Sequence, residues 1–411
     1  MGYSQTKIGR LAVVESGSWG DTGHDWDATV AAIDCEAPSF TLTQESLTID
    51  GLRSAFEEPT HLSGSKMNSS MSFKCFLNGW SSTTPGNPSL SMGVSGSIHP
   101  IGLLFKHALG GHAVDDPESD LAGGTVGAIN TTTATGEKFT PGHCFNVETS
   151  TSGKRNNVWV SSVADGGGAE DTITPTVDMS ITPDEDGTLF GSHVLYLSSG
   201  QLSVPLAFKY QGSDSGSKIE MYDCTVTSLK LTLSALGPPE LDVEVSIGTW
   251  ISEDGGAITA YSNQFPTINA SIGTNGARLM LGGSEQQSVS LEIDISCEYA
   301  NALSHAADQG LAQRVCTNRT TTTTLTIPST ALYTDIAGPG DTKGILQLDL
   351  NANTPGNSMS VLVPNTVVRE SSPIGDSEGL ISVAYTFGAN VYTGDYGSTA
   401  PADTPFRVAF L

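Results

Sequence analysis

The side chains in this 411-residue chain that could do chemistry stand in a few short groups of acidic residues and histidines. His112 lies close to Asp115 and Asp116, a combination that can bind a metal ion. Residues 184–187 (DEDG) have the composition of part of a calcium loop, but the D-x-D-x-D-G order and the later glutamate are missing. Solvated turns are therefore the favoured interpretation of both groups, and the sequence predicts neither a metal site nor a cofactor.

Nucleophilic and phosphate chemistry has little support in the sequence. Its G-x-S-x-G match, at residues 375–379, leads into a predicted strand and not into the helix of a nucleophile elbow, and the sequence holds no G-x-x-x-x-G-K-[ST] loop. The glycine-rich residues 338–344 include a proline and precede no helix-forming segment, so we interpret them as a turn. We therefore predict that the protein is not an enzyme.

The six cysteines are widely and irregularly spaced, and none forms a C-x-x-C pair, which argues against a zinc or thioredoxin-type site. Cys75, Cys224 and Cys297 each lie in an alternating apolar run and are predicted to be small buried hydrophobic residues. Because the N-terminal residues contain no apolar signal segment, synthesis in a reducing cytoplasm is expected. Disulfides are not expected under those conditions.

The charge balance is strongly acidic. The chain has 18 lysines and arginines against 44 aspartates and glutamates, which gives a formal charge of −26. Proteins that grip nucleic-acid grooves need clustered basic side chains to displace counterions, so that class is excluded. No apolar segment is long enough for a transmembrane helix, and no membrane insertion is predicted. With 37% hydrophobic residues the chain can still build a core.

Period-two alternation dominates the sequence and predicts β-strands. Over residues 289–297 apolar residues alternate with acidic and hydroxyl residues, which is typical of an antiparallel strand with one buried face. Residues 222–248 hold two such runs joined by a Gly-Pro-Pro connection, which predicts a β-hairpin. Further strands are predicted at 71–77, 320–327, 346–350, 361–363 and 381–387. The predicted fold class is therefore all-β.

Helical patterns are few. Residues 100–109 begin with a proline suited to the first helical position and show apolar residues at i, i+3 and i+4. The two glycines that follow, at 110 and 111, are predicted to end this helix. A weaker helical pattern covers residues 300–315, so one or two short flanking helices are predicted. Residues 113–200 are rich in Gly, Thr, Asp and Asn and are interpreted as long loops or an insertion between strands.

A glycine-containing stretch at residues 251–270 looks like a connection between two parts of the chain. In each part a short turn, at 64–66 and at 282–284, precedes an alternating strand. This loose repetition indicates two related β-units in tandem. The predicted domains are 1–250, which includes the insertion-like loop region, and 251–411.

Carboxylates concentrate on the polar faces of two predicted strands. They are Asp242 and Glu244 in one strand and Glu292, Asp294 and Glu298 in the other. A solvated sheet face is one interpretation, because antiparallel sheets commonly expose one side to water. The other is a surface that repels a polyanion, since duplex DNA carries about one negative charge per 1.7 Å of its axis. On that interpretation the five residues would face the lumen of a conduit for DNA.

Three groups of segments carry a resemblance to a known family. The first is LRSAFEEPTHLSG at 52–64, the strand that follows it, and HPIGLL at 99–104. The second is YDCTVTSLKLTL at 222–233 with its return strand at 241–248. The third runs from LMLGG at 279–283 through ANAL at 300–303 and VLVPN at 361–365 to the strand at 380–387. In these segments the chain resembles the tail tube (major tail) proteins of long-tailed double-stranded DNA bacteriophages.

The resemblance implies a tube-forming β-sandwich with a flanking helix. Family members assemble into stacked rings whose inner strands join into one barrel around a lumen. Two tandem units per chain would give pseudo-hexameric rings of three copies, whereas one unit per chain would give hexameric rings. The implied function is that of a structural virion protein, whose acidic tube conducts phage DNA during ejection without binding it specifically.

The resemblance also implies partners and a location. The partners would be further copies of the chain, a tape-measure protein, the tail terminator, and baseplate or distal tail proteins. The location would be the tail of the virion, after synthesis in the cytoplasm of the bacterial host. Two alternatives stay open: another virion β-protein, such as a capsid decoration or baseplate component, and an extracellular carbohydrate-binding β-sandwich.

In the family, a long loop ahead of the lumen strands reaches the neighbouring ring. The matching stretch here is 50–63, in which Phe56 is a candidate apolar anchor and Arg53, Glu57 and Glu58 are candidate pairing charges. An ordinary solvent loop is the alternative, since exposed loops commonly carry such charges.

Overall fold

The computed structural model describes residues 10–24, 26, 31–33, 35–49, 60–77, 100–115, 121–131, 140–150, 153–164, 166, 171–200, 204–211, 217–234, 238–254, 277–288, 290–305, 307, 310–328, 338–352, 358–377, 380–389, 401 and 403–411. Over this part of the chain it contains 26 strands and one helix, and the strands pair antiparallel in three sheets. The predicted all-β fold class is therefore confirmed. Within the described residues, no helix has the length and apolar character needed to cross a bilayer.

The elements follow one another along the chain in a defined order. Up to residue 190 they are β1 (Arg10–Glu15), β2 (Ala31–Ile33), β3 (Ser39–Thr41), β4 (Ser46–Ile49), β5 (Thr60–Ser63), β6 (Ser69–Phe76), α1 (Pro100–Leu109), β7 (Gly110–Asp115), β8 (Leu121–Thr125), β9 (Ala128–Thr131), β10 (Cys144–Glu148), β11 (Arg155–Ala164), β12 (Asp171–Pro175) and β13 (Thr188–Phe190). Then come β14 (Ser192–Leu197), β15 (Leu206–Gln211), β16 (Ser217–Ser234), β17 (Glu240–Ile247), β18 (Thr249–Asp254), β19 (Arg278–Leu281), β20 (Ser284–Gln286), β21 (Ser290–Leu303), β22 (Leu311–Pro328), β23 (Thr342–Leu350), β24 (Met359–Ser377), β25 (Leu380–Ala389) and β26 (Arg407–Phe410). The hairpin predicted at 222–248 is formed by β16 and β17.

The part of the fold that matters most for function is a broad sheet region, which we call the acidic sheet. Its strands pair in the order β3-β6-β17-β16-β21-β22-β25-β24. Buried and more exposed residues alternate along β6, β17 and the first part of β21, as the sequence pattern predicts. The acidic sheet therefore has one buried apolar face and one polar face.

Two long strands connect the acidic sheet to the rest of the molecule. The first part of β16 pairs with β15 and β18, and its second part pairs with β17 and β21. The change occurs at Asp223, a non-glycine residue with a φ of 52°. The first part of β24 likewise pairs with β23 and β26, and its later part with β25. The ring centroids of Phe73 on β6 and Phe208 on β15 lie 6.4 Å apart. The apolar face of the acidic sheet therefore meets the apolar face of the region that contains β15 in one core.

Helix α1 spans the predicted residues and is almost entirely buried. Pro100 occupies its first position, where the missing N–H costs no hydrogen bond. Gly110 follows with a φ of 86°, a left-handed conformation that glycine adopts without strain at a helix end. Phe105 packs edge-to-face on Phe410 of β26 at 5.6 Å, and Cys297 of β21 donates its thiol to the carbonyl of Ala108. The helix thus packs against both β26 and β21.

The second helix, expected at residues 300–315, is not formed, and that prediction was wrong. The segment is the end of the β21–β22 hairpin, in which Asn301 pairs with Arg314 and Leu303 with Leu311. Its two leucines, eight residues apart, were too few to distinguish a helix from a hairpin end. Leu303 is in fact exposed, so no apolar helical face exists there.

The prediction of long loops at 113–200 was also wrong, although the region does form an insertion. Strands β8–β13 make a separate six-stranded sheet in the order β13-β10-β11-β12-β9-β8, with a hydrophobic cluster of its own. The strands on either side of it, β7 and β14, pair with each other. The insertion therefore leaves and re-enters the rest of the molecule, which we call the body, at neighbouring positions. Alternation is lost in β11 because residues 156–160 are all buried, with the insertion core on one side and the body on the other.

The tandem-unit division at residue 250 stays a prediction. Strands β3, β6, β17 and β16 of the acidic sheet come from residues 1–250, and β21, β22, β25 and β24 come from 251–411. The two sets join directly at the β16–β21 pair, where Lys230 lies opposite Asp294. The main hydrophobic cluster also draws residues from both parts.

Candidate functional site: the polar face of the acidic sheet

The five acidic residues predicted to face a lumen lie on the polar face of the acidic sheet. Asp242 and Glu244 belong to β17, and Glu292, Asp294 and Glu298 belong to β21. These two strands flank β16 on either side. Strand neighbours are about 4.8 Å apart, so carboxylates from residues some 50 positions apart in sequence come within about 10 Å of one another. Their side chains are partly exposed or exposed, which makes the face accessible to solvent.

One cross-strand row on this face alternates in charge. It contains Lys74, Asp242, Lys230, Asp294 and Thr322, each directly opposite the next on five neighbouring strands. Opposite charges at directly opposing positions attract, whereas like charges there would repel. Lys230 is thus placed between two carboxylates, and Lys74, at the end of the row, lies beside one.

The two lysines make defined ion pairs. The Nζ atom of Lys74 lies 2.9 Å from Oε2 of Glu240 and 3.8 Å from Oδ1 of Asp242. The Nζ atom of Lys230 lies 2.7 Å from Oε1 of Glu292. The hydrogen bond to Glu240 raises the pKa of Lys74, and the hydrogen bond to Glu292 raises the pKa of Lys230. Both ammonium groups therefore stay charged at neutral pH and are occupied by protein carboxylates.

The net character of the face remains acidic. Across the described parts of β6, β17, β16 and β21, six carboxylates stand on the polar face against two lysines. Between the charges lie hydroxyl side chains. They are Ser70, Ser72, Ser228, Thr232, Ser246, Ser290, Ser296, Thr320, Thr322, Thr324 and Thr326. Such a surface repels a polyanion, and between its carboxylates it presents neutral hydroxyls in place of unpaired cations.

Three residues of this face were missed by the sequence prediction, namely Lys74, Lys230 and Glu240. The signal was present, because each occupies a polar position in an alternating run. Its meaning depends on strand register, which brings Lys74 beside residues about 170 positions later in the chain. Register is decided by tertiary pairing, so these partners could not be named from the sequence.

The local groups that suggested metal chemistry have other partners. The ring of His112 stacks on that of His193, with Nε2 and Nδ1 3.2 Å apart, and burial lowers the pKa of His112 to about 4. The carboxylate of Asp184 accepts hydrogen bonds from the backbone N–H and the hydroxyl of Ser150. Among the described residues, no group of three or more His, Cys, Asp or Glu side chains is arranged to hold a metal ion.

The inter-ring loop candidates Arg53, Phe56, Glu57 and Glu58 lie outside the described residues. The strands on either side are described: β4 and β5 pair as a two-stranded antiparallel sheet, with Ile49 opposite Thr60. The assignment of an inter-ring contact to this stretch stays a prediction.

Comparisons with known proteins do not extend these observations. No protein-family model matches the chain, and no curated protein matches it either.

Proposed function

We propose that the protein is a structural component of a phage tail, and that its copies assemble into stacked rings around an acidic conduit for DNA. The observation that carries the proposal is the polar face of the acidic sheet. It joins carboxylates and hydroxyls over strands from both parts of the chain, and its two lysines are occupied by carboxylates. A wall of this kind lets a polyanion pass without holding it.

The same sheet supports tandem tube units within a β-sandwich. Each part of the chain contributes four strands to the acidic sheet, and β16 and β21 pair across the junction as neighbouring subunits of a ring would. Closing the sheet through further copies would remove its edge strands, which are otherwise prone to unspecific pairing. Three copies per ring follow from two units per chain. The partners would then be other copies, a tape-measure protein and the terminator and baseplate proteins at the two tube ends.

Electron microscopy of the purified protein tests assembly directly. We expect rings or hollow tubes, and native mass spectrometry of isolated rings should give three chains per ring. Six chains per ring would contradict the tandem-unit proposal while leaving the tube intact. Persistent monomers at high protein concentration would overturn the tube and favour a decoration or baseplate role.

Charge reversal on the polar face tests the conduit. In a Glu292→Lys, Asp294→Lys, Glu298→Lys variant, assembled tubes should retain duplex DNA that wild-type tubes exclude. We expect at least a ten-fold gain in co-sedimented DNA at 50 mM salt, and this retention should fall steeply towards 200 mM salt because it depends on counterion release. The measurement is co-sedimentation of a fluorescent duplex with preformed tubes.

The matched control reverses three exposed acidic residues on the insertion, Asp178, Glu185 and Asp186, which changes the net charge by the same amount. Equal DNA retention by both variants would mean that net charge alone is responsible, and the assignment of the polar face to the lumen would be wrong. A neutral variant, with Gln, Asn and Gln at 292, 294 and 298, checks that assembly tolerates changes at these positions.

A further inference from the structure

Cys35 and Cys75 face each other across an antiparallel β-bridge. The backbone N–H of Glu36 donates to the carbonyl of Lys74 at 2.8 Å, which is one residue beyond each cysteine in the bridge. In an antiparallel pair this pattern marks the position between hydrogen bonds, where opposing Cα atoms are only about 4.5 Å apart and the side chains are closest. Both cysteines are thiols in the structure.

The position suits a disulfide. A disulfide needs Cα atoms about 4.4–6.8 Å apart and Cβ atoms about 3.5–4.5 Å apart, and the closely spaced pairs of an antiparallel ladder fall in or near these ranges. The backbone would need little movement, because the register already sets the two Cβ atoms opposite each other. Cys75 is buried and Cys35 is partly exposed, so a small oxidant in solvent can reach one partner of the pair.

The other cysteines lack this arrangement. Cys297 and Cys316 lie on the paired strands β21 and β22, but Cys297 opposes Arg319 and Cys316 opposes Tyr299. Cys144 opposes Trp159, and Cys224 opposes Leu206. Direct opposition of two cysteines in a described strand pair or bridge therefore distinguishes Cys35 and Cys75 from the rest.

We propose that Cys35 and Cys75 form an oxidisable cross-strand pair, which closes into a disulfide when the protein meets a low-molecular-weight disulfide or comparable oxidant. The bond would staple the segment that contains Cys35 and β3 onto β6. This segment is the outermost part of the acidic sheet on that side, and β3 holds to β6 through only three residue pairs. The staple would thus reinforce the least extensively paired end of the sheet, independently of the proposed function.

The chemistry balances as a thiol–disulfide exchange. The thiolate of Cys35 attacks oxidised glutathione, breaks its S–S bond, forms a mixed disulfide and releases one glutathione thiolate. The thiol of Cys75 then loses its proton to solvent, attacks Sγ of Cys35 and expels the second glutathione. Two protein thiols are oxidised and one small disulfide is reduced to two thiols. Burial raises the pKa of the Cys75 thiol, so the second step should be the slower one and should accelerate with pH.

The test begins with the fully reduced chain, which is incubated with oxidised glutathione at pH 8 and then quenched with N-ethylmaleimide. After denaturation and trypsin digestion, Cys35 lies in peptide 11–53 and Cys75 in peptide 75–106. We expect mass spectrometry to find these two peptides cross-linked, with two hydrogens fewer than their sum. The melting temperature of the oxidised protein should rise by about 2–5 °C.

Two variants make the result decisive. Cys35→Ser should lose both the cross-link and the rise in melting temperature, and its partly exposed position makes it compatible with folding. Cys316→Ser removes one of the two cysteines on the paired strands β21 and β22, and this variant should keep both the cross-link and the rise in melting temperature. A stable mixed disulfide on Cys35 without cross-link, or a dominant cross-link between other cysteines, would overturn the proposal.

Discussion

Replacing Arg314 with alanine should destabilise the protein by about 3–5 kcal/mol, since several buried carbonyls would lose their charged donor. Arg314 is 3% exposed on β22. Its Nη1 atom donates to the carbonyl of Ser246 at 2.7 Å and to the hydroxyl of Thr225 at 3.2 Å. Its Nη2 atom donates to the carbonyls of Ile247 at 3.0 Å and Met67 at 3.3 Å.

The position of Arg314 explains the size of the expected effect. The guanidinium lies where β17 ends and where β16 changes partners next to Asp223, and it holds the turn before β6 as well. A planar group with five fixed donors can serve these separate acceptors at once, which a lysine cannot. We therefore expect Arg314→Lys to recover only part of the lost stability.

Chemical denaturation followed by circular dichroism measures this effect. Arg369→Ala serves as the matched control, because Arg369 is an exposed arginine on β24. It should change the free energy of unfolding by less than about 1 kcal/mol. A similarly small loss in Arg314→Ala would show that the hydrogen bonds of this guanidinium do not hold the strand junction.

The second large effect concerns Asp349, and it should depend on pH. This carboxylate is 1% exposed, and burial raises its pKa to about 6. Its oxygens accept hydrogen bonds from Ser360 at 2.6 Å and from Gln347 at 2.9 Å. It belongs to a buried polar contact between the insertion and the body, where Trp159 of β11 also donates to Ser360 at 2.8 Å. The charge of Arg278 on β19 lowers the pKa of Asp349, but by less than burial raises it.

The sign of the pH dependence follows from the direction of this shift. An unfolded aspartate has a pKa of about 3.9, so between about pH 4 and 6 the folded chain retains a proton that the unfolded chain has released. The contribution of Asp349 to stability is therefore present below about pH 4 and is lost as the pH rises through 6. A shift of about two pKa units corresponds to about 3 kcal/mol.

Asp349→Asn should therefore stabilise the protein at pH 7.5 by about 1–3 kcal/mol and have little effect near pH 4. The neutral amide keeps an acceptor for Ser360 without the cost of a buried charge. Its N–H can donate to Oε1 of Gln347, which accepts no hydrogen bond from the described residues. Denaturation curves at pH 4.5, 6 and 7.5, read from tryptophan fluorescence, give the comparison.

The control for this experiment is Asp186→Asn, at an exposed position on the insertion. It should leave the free energy of unfolding within about 0.5 kcal/mol of wild type at each pH. If Asp349→Asn and wild type show parallel pH dependences between pH 4.5 and 7.5, Asp349 does not carry the proton.

Strand alternation made the acidic sheet predictable wherever one face is buried and the other solvated. The runs around Met71, Leu241 and Ile293 show this pattern, and the structure forms β6, β17 and β21 there. The helix at 100–109 was predictable for a comparable reason, since proline, apolar periodicity and glycine all agree locally. Where local signals were weak, as at 300–315, the strand partner across the hairpin decided the outcome.

The insertion shows where alternation stops being informative. In β11, Asn157 faces the body and Val158 faces the insertion core, so polar and apolar residues are both buried. A strand covered on both faces by different neighbours has no polar face to alternate with. Its residue pattern resembles that of a loop, although its hydrogen bonds are those of a sheet.

The chain's composition and periodicity alone specified an acidic all-β protein whose carboxylates sit at alternate positions of a few strands. These properties are local, because a side chain's face on a strand follows from its position in the chain. Only the tertiary structure decided which strands are neighbours. It thereby placed Lys74 and Lys230 beside carboxylates, Arg314 at the strand junction, and Cys35 opposite Cys75. Strand register and the contacts between layers join residues that are far apart in sequence, so a local sequence pattern cannot specify them.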